Sequence, residues 1–397
     1  MKKKLLAVLM VAAMGLSVFA GCGSSSSSSS SDTKSEAADT EAAEGTDDGA
    51  AAEAADYTIA MITDSGDITD MSFNQTTYEA SKAFAESAGV DFSYYKPTED
   101  SNEARIAAFN NAVADGYNVI VVPGYLFANM IESVASDNPE VTIIALDVSA
   151  GDFSDGYELP SNVVCFTYQE ELAGYMAGYA VTKEGYTKLG FLGGMAVPAV
   201  IRYGYGFVQG ANAAAEEMGN AADVEVNYVY GGQFYGDDAI TAVMDTWYAN
   251  GTEIVFACGG GIFTSACEAA VKVGGKVVGV DSDQSGTITA QYGDSTLCVT
   301  SAMKGLAPTV KDTLQGLFDG NWADYAGQIS NLGLVSGDDP SANYVQLPTD
   351  TWSMTNFTVD DYNALVAAMY AGEVTVSNDT SAMPATTITV NTFDNIH

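Results

Sequence analysis

From residue 57 onward, short apolar runs with strand periodicity alternate with longer segments of helical periodicity. The first predicted strands are residues 57–62, 92–95, 119–122, 141–146 and 162–167. The helices predicted between and after them are 73–88, 102–114, 127–136 and 169–182. The pattern then restarts, with strands at 188–192, 224–229, 254–258 and 277–280 and helices at 204–217, 237–248 and 263–273. Such alternation predicts an α/β fold of two doubly wound parallel sheets, arranged as two lobes with a cleft between them.

The remainder of the chain follows this pattern less regularly. We predict a strand at 297–300, a helix at 302–318, an irregular segment of weak strand character at 329–347, and a helix at 359–370 before a Thr-rich tail.

Composition excludes several classes of function. The chain of 397 residues has a formal net charge of −38 and a pI near 4.1, which argues against nucleic acid as a partner and against a basic membrane-binding patch. Histidine occurs once, as His397, so Ser-His-Asp and Cys-His catalysis and His-based zinc sites are excluded. An enzyme that uses carboxylates alone, such as a glycosidase, remains an alternative.

The N-terminus has the pattern of a secretory signal in residues 1–21, with Lys2 to Lys4 before an apolar run at 5–13. Small residues directly before Cys22 resemble the bacterial lipoprotein cleavage box, in which the cysteine becomes the lipidated N-terminus. The alternative is an ordinary secreted protein. Residues 22–56, rich in Ser and acidic residues, predict a disordered tether.

Four further cysteines show no metal-ligand or redox spacing: Cys165, Cys258, Cys267 and Cys298. Their apolar surroundings predict buried thiols, with a Cys258–Cys267 bridge as an alternative.

The segment 63–75 connects the first predicted strand to the first helix and contains Asp64, Asp67, Asp70 and Phe73. A loop at the carboxyl end of a parallel strand lies at the crevice where open α/β sheets bind ligands. Ser72 is the predicted N-cap of the helix. We interpret this loop as half of a ligand-binding cleft.

Carboxylates recur where strands end, at Asp64, Asp147 and Asp281. Each is either an N-cap or a ligand-binding group, and the carboxyl ends of the strands of two lobes converge on one crevice. Lys304 is predicted to begin a helix, where a cation opposes the macrodipole, so we expect a carboxylate or a ligand to hold it unless it is an ordinary surface lysine. Arg202 is a weaker candidate on the same grounds.

Two aromatic residues, Phe73 and Phe234, stand at predicted loop-to-helix junctions in different lobes, where two flat faces would sandwich a planar ring. Core packing is the alternative for each. Gly259 to Gly261 follow a strand and would let backbone N–H groups approach a ligand, or form a tight turn. No P-loop or GxGxxG motif is present, and we expect no cofactor.

Residues 70–75 (DMSFNQ) resemble the DxSFNQ signature of the basic-membrane-protein (BMP) family of lipoproteins. These are substrate-binding proteins of ABC transporters and include purine nucleoside receptor lipoproteins. Further matches stand at 172–178, 190–194, 202–207, 279–284 and 300–304. The sequence departs from the family pattern at Met71, where a Lys is common, and at 232–234, where Gly-Gln-Phe replaces Gly-Ser-Phe.

The resemblance implies a type I periplasmic-binding-protein fold with a three-crossover hinge and a purine nucleoside between the lobes. The implied ligand-binding residues are Asp64, Phe73, Asn74, Asp147, Phe234, Gly260, Asp281 and Lys304, with the two phenylalanines stacking on the base. The implied first lobe is 57–165 and about 293–328, the second 166–292 and about 329–350, and a C-terminal helix and tail fill 351–397.

The function implied by the resemblance is that of a binding protein, not an enzyme. We expect a monomer, anchored by lipid on the extracytoplasmic face of the cell membrane, that delivers its ligand to an ABC permease and its ATPase. The open alternatives are a sugar or polyol ligand, a secreted glycosidase, and a sensor that presents its ligand to a receptor.

Overall fold

The computed structural model describes residues 57–397. The predicted signal peptide, Cys22 and the tether lie outside the described residues. Within the described part no helix is both long and apolar enough to cross a lipid bilayer.

The first lobe is built on a six-stranded parallel sheet. Its strands are β1 (Ile59–Ile62), β2 (Phe92–Tyr95), β3 (Val119–Pro123), β4 (Thr142–Leu146), β5 (Val163–Tyr168) and β11 (Gln328–Leu332). They lie in the order β11-β5-β4-β3-β1-β2, and every pairing is parallel. The central strands β1, β3 and β4 are almost wholly buried, as expected of a sheet covered by helices on both faces.

The second lobe is built on a seven-stranded sheet. Its strands are β6 (Lys188–Gly193), β7 (Glu225–Tyr230), β8 (Ile254–Cys258), β9 (Lys276–Asp281), β10 (Cys298–Lys304), β12 (Val345–Gln346) and β13 (Thr389–Thr392). The order is β12-β10-β9-β8-β6-β7-β13, with β12 antiparallel to β10. The described chain passes between the two sheets three times, between β5 and β6, between β10 and β11, and between β11 and β12.

Helices cover both sheets. They are α1 (Phe73–Ala88), α2 (Asn102–Ala114), α3 (Ala128–Val134), α4 (Glu170–Glu184), α5 (Pro198–Met218), α6 (Asp238–Ala249), α7 (Phe263–Ala270), α8 (Ser285–Tyr292), α9 (Leu306–Phe318) and α10 (Val359–Tyr370). Helices α4 and α5 pack backbone to backbone, because glycines occupy their contact. A Cβ at Gly178 would lie 2.1 Å from the Phe207 carbonyl oxygen, and one at Gly206 would lie 2.1 Å from that of Glu171.

The architecture confirms the predicted α/β class with two parallel sheets, but it corrects several local predictions. The strand predicted at 297–300 extends to Lys304, so the following helix begins at Leu306 rather than at 302. Helix α5 begins at Pro198 instead of 204, and helix α8 was not predicted. The Thr-rich tail contains strand β13, which pairs with β7.

Two predicted lobe assignments are also wrong. Strand β10, placed in the first lobe by the predicted boundary at 293–328, pairs with β9 in the second sheet. Strand β11, most of which falls in the segment assigned to the second lobe, pairs with β5 in the first sheet. Both errors have one cause, since sheet membership depends on long-range pairing that a local pattern of apolar residues does not encode.

The four cysteines of the described residues, Cys165, Cys258, Cys267 and Cys298, are free and buried. The predicted buried thiols are therefore confirmed, and the alternative bridge between Cys258 and Cys267 is not formed. Burial raises the pKa of the Cys258 thiol well above its ordinary value, which keeps it protonated and unreactive.

Candidate functional site

A cleft lies between the two lobes, at the carboxyl ends of the parallel strands of both sheets. The centre of a water-sized sphere can move there through a volume of about 110 Å³. One water molecule needs roughly 10–15 Å³ by the same measure, so the cleft is several times larger than a site for one water. The residues predicted from sequence to bind ligand all line it: Asp64, Phe73, Asn74, Asp147, Phe234, Gly260, Asp281 and Lys304. The structure therefore brings both lobes' candidates together around one cavity.

The loop before α1 is organised by a carboxylate that was not predicted to cap the helix. Asp70 accepts hydrogen bonds from the backbone N–H groups of Ser72 (3.0 Å), Asn74 (2.9 Å) and Gln75 (3.0 Å). Asp70 thus satisfies the free donors of the first turn, where a negative charge is also favourable. The predicted N-cap, Ser72, makes no capping bond. Its hydroxyl instead donates to Oδ2 of Asp281 (2.6 Å).

Asp64 is held in place by its own loop and by α1. Its Oδ1 accepts from the backbone N–H of Gly66 (2.7 Å) and from Nδ2 of Asn74 (2.9 Å). Burial raises the pKa of Asp64 to about 6, although these two hydrogen bonds oppose the shift. A Cβ at Gly66 would lie 2.3 Å from Asn74 Nδ2, so the close approach requires glycine. Asn74 is buried and fixes the direction of Asp64.

Lys304 is the centre of a buried charge cluster. Its ammonium contacts Asp147 Oδ2 and lies 3.5 Å from Oε1 of Glu170 and 3.8 Å from Oδ1 of Asp281. The prediction that Lys304 begins a helix is wrong, because it is the last residue of β10. The expectation that carboxylates hold it is confirmed. The ammonium also lies 4.8 Å from the ring centroid of Phe73, within the range of a cation–π contact.

The charged groups of this cluster change one another's pKa values. Burial raises the pKa of Asp147 to about 6 and raises that of Asp281, while Lys304 opposes both shifts. Burial alone would lower the pKa of Lys304, but Asp147, Asp281 and Glu170 hold it above its ordinary value. The lysine therefore stays charged, and the carboxyls take up protons more easily than exposed ones.

Strained backbone accompanies these carboxylates. Asp147 and Asp281 have φ of 58° and 65°, and Met71 in the first loop has φ of 55°. Non-glycine residues seldom adopt this left-handed region, and they persist there only when the surrounding structure holds them. Neither aspartate is the side-chain N-cap of the helix that follows it.

A second layer of charge lies behind Lys304. Its cation, Arg202, was the weaker candidate of the sequence analysis, whereas its two acids were missed. Glu170 is fully buried, and its Oε2 accepts from Nε of Arg202 (2.6 Å). Arg202 also lies 3.9 Å from Glu171 and lines the cavity. In the sequence Glu170 and Glu171 look like ordinary acids in the first turn of a helix, so only their burial distinguishes them.

Phe234 reaches the cavity from the second lobe because glycines make room for its ring. A Cβ at Gly194 would lie 2.4 Å from the ring, and one at Gly259 would lie 2.8 Å from it. The carbonyl oxygen of Phe234 accepts from the N–H of Gly261 (2.8 Å), which ties two loops together. The Gly259 to Gly261 segment, predicted to approach a ligand or to form a tight turn, makes room for the Phe234 ring, and Gly259 and Gly260 both line the cavity.

Comparison with known proteins matches this arrangement to a family. The model of the Bmp family, described as "ABC transporter substrate-binding protein PnrA-like", matches residues 57–337. The chain belongs to this family. The Bmp-family match covers both sheets up to β11 and every cleft residue named above.

Several curated proteins are similar over most of the chain. The ABC transporter nucleoside-binding protein BmpA of Lactococcus lactis subsp. cremoris is 26% identical over 353 residues, which are 85% of this chain and 90% of that protein. A CD4+ T-cell-stimulating antigen of Listeria innocua is 28% identical over 328 residues, covering 79% of this chain and 83% of the relative.

Solved structures share the fold. An ABC transporter solute-binding protein from Aeropyrum pernix K1 has a TM-score of 0.61 at 22% identity, covering 82% of this chain and 88% of that one. One from Conexibacter woesei has a TM-score of 0.61 at 21% identity, covering 81% and 99%. At these identities the likeness establishes the fold alone.

Membership of the Bmp family identifies the chain as a substrate-binding protein of an ABC transporter, not an enzyme. The glycosidase alternative is therefore wrong. The family also implies a small-molecule ligand, an extracytoplasmic location, and a permease and an ATPase as partners.

Proposed function

We propose that this Bmp-family protein captures a neutral purine nucleoside in the interlobe cleft and delivers it to an ABC permease. The observation that carries the proposal is that Phe73 and Phe234, from different lobes, line one cavity together with Asp64, Asp147 and Asp281. Two aromatic faces suit a flat heterocycle, and carboxylates suit ring N–H and ribose hydroxyl donors.

Each cleft residue has a distinct role in this proposal. Phe73 and Phe234 stack on the base. Asp64, oriented by Asn74, and Asp147 accept hydrogen bonds on the first-lobe side. Asp281, Lys304 and the backbone at Gly260 meet the ligand on the other side. A ligand that contacts both lobes stabilises the closed arrangement by its differential affinity for it.

A neutral ligand is favoured over a nucleotide. The cavity is lined by Asp64, Asp70, Asp147, Asp152 and Asp281, whereas Lys304 and Arg202 are already paired with carboxylates. Among the described residues that line the cavity, a phosphate would meet this excess of carboxylates and no unpaired cation. The similar Lactococcus protein is named as a nucleoside-binding protein, which supports the same ligand class here.

The second part of the proposal concerns the anchor. Cys22 follows small residues at the end of the predicted signal segment, and we propose that it carries the lipid that holds the protein on the extracytoplasmic face of the membrane. Lipoprotein modification supplies more than one acyl chain, which stable anchoring requires. Mass spectrometry of the N-terminal peptide from native membranes tests this directly; an unmodified Cys22 in the mature protein would rule it out.

Calorimetry with a panel of small molecules tests which class of ligand the cleft binds. The panel contains inosine, guanosine, adenosine, ribose and hexoses, and mass spectrometry identifies any small molecule that co-purifies. Stacking is worth about 0.5–1.5 kcal/mol per aromatic pair beyond area burial, and a charge-assisted hydrogen bond about 1.5–3 kcal/mol. Phe73→Ala and Asp281→Ala should thus each weaken nucleoside binding at least several-fold.

The control is Tyr235→Ala. Tyr235 follows Phe234 in the chain, and its side chain is exposed. This variant should bind as the wild type does. Unchanged affinity in both Phe73→Ala and Asp281→Ala would refute the site assignment. Binding of a hexose or of ribose, without any nucleoside, would instead establish the sugar alternative, since carboxylates and aromatic faces suit sugars too.

A further inference from the structure

The last described residues, 389–397, run along the edge of the second sheet towards the cleft. Strand β13 pairs in parallel with β7, from Thr389 opposite Glu225 to Thr392 opposite Tyr228. Parallel pairing brings the end of this segment to the same sheet edge as the ligand-binding loops. The family match ends at residue 337, before this segment begins.

Beyond β13 the segment stays attached to the strand that leads into the Phe234 loop, residues 231–237. The N–H of Phe393 donates to the carbonyl oxygen of Tyr228 (2.9 Å), and the N–H of Ile396 donates to that of Tyr230 (3.0 Å). The Phe393 ring lies 5.6 Å from the Trp247 ring. Residues 393–396 are thus hydrogen-bonded to β7 as far as Tyr230, the last residue before the loop.

His397 then contacts the loop itself. Its imidazole Nε2 donates to Oδ2 of Asp237 (2.8 Å), since a carboxylate oxygen can only accept. The same oxygen accepts from Nε2 of Gln233 (2.9 Å), the residue before Phe234. A Cβ at Gly232 would lie 2.8 Å from the His397 carbonyl oxygen, so the two backbones touch. The loop is therefore supported through residues that do not themselves line the cavity.

From these contacts we infer that His397 is a positioning residue for Phe234. The inference rests on the proposed nucleoside site and extends it to a segment that does not line the cavity. Asp237 links His397 to the Phe234 loop, because its Oδ2 accepts hydrogen bonds from both His397 and Gln233. Loss of the imidazole removes one of the two side chains bonded to Oδ2 of Asp237, so the loop around Gln233 is held less firmly. The Phe234 ring then spends less time in the orientation that stacks on the base.

The test measures inosine and adenosine affinity by calorimetry in His397→Ala, His397→Gln and Thr392→Ala. Thr392 is an exposed residue of β13 and serves as the matched control. His397→Ala should bind roughly three- to tenfold more weakly. This is less than the full contribution of a charge-assisted hydrogen bond, because the contact is partly exposed and acts on the ring only through the loop. His397→Gln, which retains a side-chain N–H donor, should recover at least half of this loss on a logarithmic scale, and Thr392→Ala should match the wild type.

A double-mutant cycle separates positioning from a general structural effect. In a Phe234→Ala background, His397→Ala should have less than a twofold effect, because the ring it positions is gone. An equal loss of affinity in both backgrounds, or no loss in the wild-type background, would overturn the inference.

Hydrogen exchange provides a readout that needs no ligand. The amides of 231–236 should exchange faster in His397→Ala than in Thr392→Ala. If the wild type binds neither nucleoside, the proposed function fails. Faster exchange of the 231–236 amides in His397→Ala would still show that His397 holds the loop. Unchanged exchange would refute that role whatever the ligand is.

Discussion

The hydroxyl of Ser72 donates a hydrogen bond of 2.6 Å to Oδ2 of Asp281, joining the loop before α1 in the first lobe to the end of β9 in the second. Beside it, Nε2 of Gln284 donates to the carbonyl oxygen of Met71 (3.0 Å). The Met71 side chain packs against the core of the second lobe. These contacts between protein atoms favour the arrangement in which the lobes are closed on each other, and they add to whatever a ligand contributes.

The first prediction concerns this interlobe contact. Ser72→Ala removes a hydrogen bond to a charged group, worth about 1.5–3 kcal/mol, so the closed arrangement becomes less populated. Nucleoside affinity should fall about tenfold, and the radius of gyration from small-angle X-ray scattering should increase. Thr69→Ala, an exposed hydroxyl of the same loop, is the control. A Ser72→Ala protein with wild-type affinity and dimensions would show that the contact does not contribute to closure.

The second prediction concerns the cation of the cleft. Lys304→Ala leaves Asp147, Glu170 and Asp281 buried without their shared partner. Breaking a buried pair in this way typically costs about 3–5 kcal/mol of unfolding free energy. Urea denaturation should show this loss at pH 8 and a smaller one at pH 5, because Asp147, whose pKa burial raises to about 6, then takes up a proton. The comparison is Lys82→Ala, whose ion pair with Glu86 is exposed; equal effects of the two substitutions would contradict the prediction.

The third prediction is a pH dependence with opposite signs at two aspartates. The pKa of Asp64 is raised to about 6, so its folded form keeps a proton that the unfolded chain loses above about pH 4. The stability contributed by Asp64 is therefore present at low pH and is lost as pH rises through 6. The unfolding free energy of Asp64→Asn minus that of the wild type should therefore increase between pH 4 and pH 7, because asparagine does not titrate.

Asp67 is the matched opposite. Hydrogen bonds from Lys96 and Thr69 lower the pKa of its carboxyl, so its contribution is present above the ordinary pKa and is lost as pH falls through the lowered value. Asp67→Asn should therefore lose stability relative to wild type at pH 7, and the difference should shrink towards pH 3. Denaturation curves for both variants between pH 3 and pH 7 test this pair of predictions. If the stability difference from wild type changed with pH in the same direction at Asp64 and at Asp67, the assignment of their environments would be refuted.

The fourth prediction concerns the contact between α4 and α5. Gly178→Ala forces a Cβ to within 2.1 Å of a backbone carbonyl oxygen, which only a shift of the helices can relieve. Overpacking of this kind costs roughly 1–3 kcal/mol or more. Gly286→Ala in helix α8 meets nothing within 4 Å and should be neutral or stabilising by about 0.5–1 kcal/mol. The melting temperature should therefore fall in Gly178→Ala and stay the same or rise in Gly286→Ala, and similar melting temperatures of the two variants would contradict the close packing.

Much of the fold could be predicted because it is encoded in local patterns. The apolar runs that became β1, β3 and β4, and the helical periodicity of α1, are readable from neighbouring residues alone. The convergence of Asp64, Asp147 and Asp281 could also be anticipated, since the carboxyl ends of parallel strands meet at one sheet edge. The motif at 70–75 identified the family.

The errors occurred where a distant partner decides the local structure. Lys304 was predicted to open a helix, but pairing with β9 extends the strand through it. Ser72 looked like an N-cap, but Asp70 occupies the free donors and leaves the hydroxyl for Asp281. Glu170 was not singled out, because nothing in the neighbouring sequence indicates that it is buried beside Arg202 and Lys304.

The sequence by itself determined most of the strands and helices, which family the chain resembles, and that Asp64, Asp147 and Asp281 stand where strands end. The tertiary structure decided which sheet each late strand joins, which carboxylates share Lys304, and that residues 389–397 reach the loop of Phe234. The physical reason is range: propensity and periodicity act within a few residues, whereas strand pairing, burial of charge and contact between lobes depend on residues far apart in the chain.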